Sequence, residues 1–424
     1  MPRHLSATPL AVPYRLDQLA GTVSVRPNHV IFRDVTARHG DATVRFSGQG
    51  IIGAPRQDWD FKLSADNAPV DDDLRKALPP SLTDLLDSLQ VRGRVTMDFT
   101  KLRLAVTDSS AATTQASTTR ADAAGGASVT DADFALKLDF DKGSMDVGVP
   151  LADIKGRIDV AGSSRSNRLA ALAGRIDVDS LSLAGRPVSR LKAELIKRPG
   201  QDQLTIGAME ASIAKGSMAG QIDYVFPDTG PSRYALDLSL LNADVRELVG
   251  DTEGQDIRGL LKARLAVQGT VNQPASRRGS GLVEIDGQQM YKIPLILGLL
   301  QVTNLSLPVT SPFTQATAQY SIDGMRVTFE KIVLRNKEMM MQGDGNLDFN
   351  TKQVKMTFVT DSTTWPKLPV IGDLIQGARH ELLQIKLRGT LQEPRVSAGS
   401  MNTLTTTVDE VLRGDEPAQP AKSK

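Results

Sequence analysis

Apolar and polar residues alternate along most of this chain, and that period of two is the strongest constraint on its fold. In its shortest form the pattern is a pentapeptide, Gly-x-apolar-polar-apolar. GRIDV stands at both ends of residues 156–178, and looser copies begin at Gly21 (GTVSV), Gly93 (GRVTM), Gly220 (GQIDY), Gly281 (GLVEI) and Gly345 (GNLDF). Alternation puts successive side chains on opposite sides of an extended backbone, the signature of half-buried strands. Each copy reads as the start of a strand, with Gly, Ile and Val on one face and Arg and Asp toward solvent. The glycine allows a bend or a close backbone approach.

Where the apolar set changes parity, the spacing predicts antiparallel hairpins. A turn at Thr100-Lys101 sets Phe99 opposite Leu102 and Met97 opposite Leu104. A turn over 141–144 sets Phe140 opposite Met145. A turn at Thr351-Lys352 sets Phe349 opposite Val354, Leu347 opposite Met356, and Gly345 beneath Phe358. A longer module also recurs: Ile206, Met209, Ala211 and Gly220 match Phe329, Ile332, Leu334 and Gly343 in spacing, and Phe32, Val35, Ala37 and Gly48 follow the same order. The parity slip between Ile206 and Met209 reads as a bulge.

Helices are few and short. They are expected at 73–90 after a proline pair, at 242–250 with Asn242 or Asp244 as cap, at 293–300 and at 366–383. The organisation that follows is an N-terminal β-repeat segment over 1–106, a Ser/Thr/Ala-rich disordered loop over 107–131, a long β-region over 132–400 and a helical or disordered tail over 401–424.

The 50 basic and 49 acidic residues nearly cancel, so no broad field attracts nucleic acid. Zero cysteines exclude disulfides, thiolate metal sites and cysteine nucleophiles, a blank that suits either the cytosol or an oxidising envelope compartment. The longest apolar run, 293–300, is far shorter than the roughly 20 residues a membrane span requires. The chain is therefore soluble, or a piece of a longer one whose anchor lies elsewhere.

No catalytic set assembles. The histidines His4, His29, His39 and His380 show no metal-ligand spacing; His29 and His39 read as surface turn residues. Asp159, Asp177, Asp223 and Asp348 fall at the polar parity of strands. Residues 251–256 lack the spacing and terminal Glu of an EF-hand loop, and GDGN at 343–346 is followed by a strand, unlike a dinucleotide fingerprint. The expectation is a protein without catalytic residues, metal or cofactor.

What does call for explanation is the apolar face. On the order of twenty one-sided strands, stacked ~4.8 Å apart, expose more apolar surface than a few short helices can cover. The sheet packs on a second sheet, closes into a barrel, or curls into a trough that meets something apolar. Acyl chains would fill such a trough, each buried CH2 contributing about 0.8 kcal/mol.

Two further segments share a frame. Val267-Gln-Gly-Thr-Val-Asn-Gln-Pro274 and Leu387-Arg-Gly-Thr-Leu-Gln-Glu-Pro394 both read apolar-x-Gly-Thr-apolar-x-x-Pro, each taken as a strand ending in a proline that cannot donate to the ladder. With residues 281–307, the strands from Tyr320 to Phe358 and LLQIKLRGTLQEP, the frame (Gly269, Thr270, Pro274; Gly389, Thr390, Pro394) resembles that of the AsmA-like family. The resemblance covers residues 133–401, and more loosely 9–106.

It implies a mostly β protein whose long antiparallel sheet curls into a U-shaped, taco-like apolar groove, non-catalytic, in the periplasm, and held at the inner membrane by an N-terminal anchor that this sequence lacks. It further implies carriage of phospholipid or another acyl lipid between inner and outer membranes. The alternative is a scaffold or assembly factor for outer-membrane β-proteins acting through strand edges, with an outer-membrane or periplasmic protein partner. The groove lining would come from the in-phase apolar residues Phe99, Leu102, Leu104, Phe140, Met145, Ile206, Met209, Leu347, Phe349, Val354, Met356 and Phe358.

Overall fold

The computed structural model describes residues 5–7, 14–53, 56–77, 90–107, 129–146, 150–166, 168–227, 229–249, 258–288, 313–337, 339–362, 383–390 and 394–400, together with residues 83, 86 and 87. The chain divides into two compact units. The first comprises Met1–Ile213, Ser217–Leu236 and Thr270–Asn272; the second comprises Ala214–Gly216, Asp237–Gly269 and Gln273–Lys424.

In the first unit the strands are β1 (Leu5–Ala7), β2 (Leu16–Arg26), β3 (His29–His39), β4 (Ala42–Ile52), β5 (Arg56–Pro69), β6 (Arg94–Thr107), β7 (Val129–Asp146), β8 (Pro150–Arg165), β9 (Arg168–Leu183), β10 (Arg186–Lys197) and β11 (Gln203–Ile213), with β12 (Gly216–Val225) mostly in this unit. Each of β1 to β11 pairs antiparallel with its neighbour in sequence. The helix α1 (Asp72–Ala77) interrupts the meander. Asp71 caps it, its Oδ1 accepting the Leu74 N–H at 2.9 Å.

The doubled pentapeptide is explained by β8 and β9. The two copies lie side by side, running in opposite directions: Gly156 faces Val178, Arg157 faces Asp177, Ile158 faces Ile176, Asp159 faces Arg175 and Val160 faces Gly174. GRIDV is its own complement in an antiparallel ladder. Each valine sits against a glycine, each cation against an acid, and the isoleucines meet at the centre. A Cβ on Gly156 would lie 2.4 Å from Val178 Cα, and one on Gly174 would lie 2.7 Å from Val160 Cγ1. Both copies are strand interiors rather than strand starts.

Two of the expected hairpins are single strands. β6 runs unbroken through Thr100-Lys101, with Phe99 beside Leu63 and Leu136, and Leu102 beside Phe61 and Phe134; its ladders with both neighbours shift register there. Likewise β7 continues through 141–144, with Phe140 opposite Gly156 and Met145 opposite Leu151, and Lys142 takes φ 61°. A short turn and a bulge both flip parity, so local spacing does not separate them. Long neighbouring strands favour the bulge. The slip anticipated inside the recurrent module is a bulge wherever its register is given. Register shifts fall between Phe32 and Val35 and between Phe329 and Ile332, and Ala208 between Ile206 and Met209 takes φ 48°.

The second unit holds the end of β13 (Arg233–Asp244), the helix α2 (Val245–Val249), β14 (Arg258–Thr270), β15 (Gln273–Gln288), β16 (Gln315–Asp323), β17 (Arg326–Arg335), β18 (Met339–Asp348), β19 (Gln353–Ser362), β20 (Leu383–Thr390) and β21 (Pro394–Ser400). From β15 to β21 it is again an antiparallel meander. Asp244 caps α2 by accepting the Arg246 N–H at 3.0 Å. The third hairpin forms, two residues out of the expected register. Its loop is 349–352, Leu347 faces Val354, Gly345 faces Met356 and Gly343 faces Phe358. The even shift keeps every side chain on its expected face.

The segment 293–300, the helix expected at 366–383 up to residue 382, the acidic run 251–256, most of 107–131 and the tail 401–424 lie outside the described residues, and Leu383 opens β20. Of the helix expected at 73–90, α1 and the helical residues 83, 86 and 87 are described.

The U-shaped groove is not formed. Among the described residues no pairing joins the ends of the meander in either unit, and neither unit's sheet is closed or strongly curled. The apolar surface is covered differently. Large side chains lie across glycines of the adjacent strand: Phe61 over Gly48, Trp59 over Gly50, Phe358 over Gly343 and Met356 over Gly345, with a Cβ on any of these glycines meeting the neighbour at 2.1–2.6 Å. Phe358, Met356, Val354 and Leu347 are thereby buried in one cluster with Phe313, Met341, Ile385 and Leu387. Ala in place of Gly343 is expected to lower unfolding free energy by about 1–3 kcal/mol through overpacking. At Gly207, where a Cβ finds its nearest neighbour at 3.5 Å, Ala should instead stabilise by about 0.4–1 kcal/mol; urea titration of both variants checks the pair.

Candidate functional site

The outer edge of β2 presents backbone hydrogen-bonding groups beside exposed apolar side chains. The turn at Pro27-Asn28 (Asn28 φ 60°) joins it to β3, with Arg26 opposite His29, Val25 opposite Val30 and Val23 opposite Phe32. Ile52 N–H donates to Asn28 O at 2.9 Å, the bond that flanks the His29–Ile51 pair. His29 therefore directs its own N–H and C=O toward Arg26. By alternation, Val25 and Val23 direct theirs away from β3.

The short strand β1 meets β2 only at Leu16 and Leu19. Among the described residues nothing pairs with the outer edge at Val23 and Val25. Their side chains are also bare, 53% and 73% exposed.

This edge continues an aromatic face. Val23 and Val25 lead across Phe32 and Val30 to Trp59 and Phe61. Trp59 and Phe61 stack at 5.7 Å, and Phe32 lies 5.9 Å from Phe61 and 5.6 Å from Phe46. Leu102 and Leu104, expected as groove lining, pair with Phe61 and Trp59 on the same face. Phe99 and Phe140 pack instead on a second cluster around Val44, Ala65, Val95 and Met97. Met145 faces Leu151 near the end of β7. Ile206 packs on Leu169, Leu172, Leu195, Leu204 and Tyr224, and Met209 is buried. Leu347, Val354, Met356 and Phe358 are core, whereas Phe349 is 52% exposed in the β18–β19 loop. Carriage of lipid in a groove falls with the groove.

The Gly-Thr…Pro frame is a hairpin rather than a strand end. Gly269-Thr270 closes β14 and Pro274 is the second residue of β15; Gly389-Thr390 closes β20 and Pro394 opens β21, where Gly389 and Pro394 face each other.

Sequence reasoning also missed His39, which is not a surface turn residue. Its ring stacks on Tyr14 at 4.2 Å, Nδ1 meets Arg15 O at 2.8 Å, and Nε2 lies 3.4 Å from Asp71 and 3.8 Å from Asp73. Burial, with Asp71 and Asp73 adding to it, pushes the Tyr14 hydroxyl up to about 12. The arrangement ties the α1 cap to the end of β3. Among the described residues, no three His, Asp or Glu side chains converge as metal ligands.

Two of the aspartates at polar parity, Asp223 and Asp348, accept several hydrogen bonds each. Burial pushes Asp223 up, but hydrogen bonds from Thr205, Gln221 and Gln203 outweigh it and hold the carboxyl below its usual range. Thr351 and Asn350 N–H groups lower Asp348 in its turn. In the second unit an open depression of about 530 Å3 is lined by Asp244, Arg246, Arg258, Leu260 and Asp286; its mixed charges and openness do not suit an acyl chain.

Comparison with protein-family models, curated proteins and solved structures returned no match. No helix among the described residues is long and apolar enough to cross a membrane.

Lys197 is the one buried cation of the first unit's core among the described residues. Nζ donates to Gln201 O at 2.6 Å and Ala170 O at 3.4 Å, and burial lowers its pKa. Because the unfolded chain holds the proton up to about 10.4, it binds more protons than the folded chain between the two values, and stability rises with pH across that window. Lys197→Met should lack the rise; urea titrations of both proteins from pH 8 to beyond about 10.4 check it.

Proposed function

We propose that this chain is a non-catalytic β-sheet scaffold that binds a protein partner by strand addition at the outer edge of β2. The observation behind it is the pairing of outward N–H and C=O groups at Val23 and Val25 with bare valine side chains on an apolar face. An incoming strand with matching alternation would satisfy the backbone groups and cover the valines together. Kinship with the AsmA-like proteins belongs to this reading, supported by the two Gly-Thr…Pro frames and the meandering architecture. A periplasmic location, with attachment to the inner membrane through a segment outside this sequence, follows from that kinship alone.

The edge can be disabled without touching the ladder. Proline at position 25 removes an N–H that points away from β3, the situation in which edge strands accept proline. A fluorescently labelled Thr-Val-Thr-Val-Thr peptide should bind the protein, and Val25→Pro should weaken binding at least about tenfold while leaving the urea midpoint unchanged. Equal binding by both proteins, or none by either, would sink the proposal.

A further inference from the structure

Resting on that reading, we infer that the strand added to β2 comes from a second copy of the same chain, related by a two-fold axis through Ser24. The segment Thr22-Val23-Ser24-Val25-Arg26 is self-complementary. Run antiparallel to itself about Ser24, it places Val23 opposite Val25 of the second copy, and Val25 opposite Val23. Both residues turn their backbone groups outward, so each such pair exchanges both of its N–H···O=C bonds. The valines, 53% and 73% exposed in one copy, cover one another across the seam and join the two aromatic faces. Arg26 falls opposite Thr22, so no like charges meet.

The other registers of the same parity are poorer. Centring on Val23 brings Val25 against Gly21, where the backbone is already distorted (φ 141°). Centring on Val25 brings Val23 against Pro27, which has no N–H to give. The window is framed on both sides. The ladder with β3 shifts register between Asp17 and Ala20 and between Ala20 and Thr22, and Pro27 closes the other end. Such framing limits an edge to one short contact instead of open-ended aggregation. The doubled GRIDV shows the same logic within the chain, a short segment meeting its own inverse in register.

A five-residue seam buries much less than the ~1,200–2,000 Å2 of a stable interface, so association should appear in the high micromolar range. The chain has no cysteine, which makes Ser24→Cys a clean reporter. Ser24 lies on the axis, at a non-hydrogen-bonded pair whose Cα atoms stand about 4.5 Å apart, within disulfide reach. Under mild oxidation of the full chain, Ser24→Cys should form a covalent dimer at least about tenfold faster than Thr22→Cys, which faces Arg26 rather than itself. Sedimentation of the unmodified protein should show the mass doubling with concentration, and Val25→Pro should remain a monomer.

Equal cross-linking of the two cysteine variants, with a monomer at every concentration, overturns self-pairing. If the labelled peptide still binds in that case, the edge takes a different partner and the scaffold reading stands. If the peptide fails as well, both fall.

Discussion

A large side chain laid across a bare glycine of the neighbouring strand is the contact on which this architecture depends. Phe61 on Gly48, Trp59 on Gly50, Phe358 on Gly343 and Met356 on Gly345 all follow that scheme. It accounts for a composition that combines abundant glycine with only 4% aromatic residues. Each large side chain is flanked by a position with no Cβ, so it can lie low against the sheet and bury apolar area there. Each of these glycines leaves little room for any other residue.

The same contact explains why the surplus of apolar surface suggested by alternation does not require a curled trough. That estimate treats every apolar side chain as standing upright on an uncovered face. In the second unit Val354, Met356 and Phe358 are almost wholly buried among Phe313, Met341, Ile385 and Leu387. Among the described residues the exposed large apolar side chains are Val23, Val25, Ile51 and Ile52 at or beside the β2 edge, Phe349 in a loop, and Ile196, Leu241 and Leu260 elsewhere. On the opposite face, cross-strand ion pairs such as Arg157–Asp139 and Arg103–Asp60 let a chain with nearly equal numbers of acids and bases neutralise its charge strand by strand.

Much of the fold is legible in the residues. The period of two identifies the strands, the third hairpin is recognisable despite a two-residue offset, and the slip between Ile206 and Met209 is a bulge. The doubled GRIDV could have been read as a self-complementary pair, because reversing it aligns Gly with Val and Arg with Asp. The candidate site was less legible. GTVSV looks like any other copy of the pentapeptide, and nothing in its letters says that one of its edges meets no partner strand among the described residues. His39 was equally hidden, since its contacts come from β3, the residues just before β2 and the α1 cap, which are far apart in sequence.

Sequence alone determined which residues can share a face, because extended backbone alternates and glycine cannot fill space. Tertiary structure decided what each change of parity means and where the sheet stops. At Thr100-Lys101 and at 141–144 a turn and a bulge write the same letters, and only long strands paired on both sides select the bulge. Whether a strand is an edge likewise depends on what lies beyond it, which is a property of pairing between segments and not of any one of them.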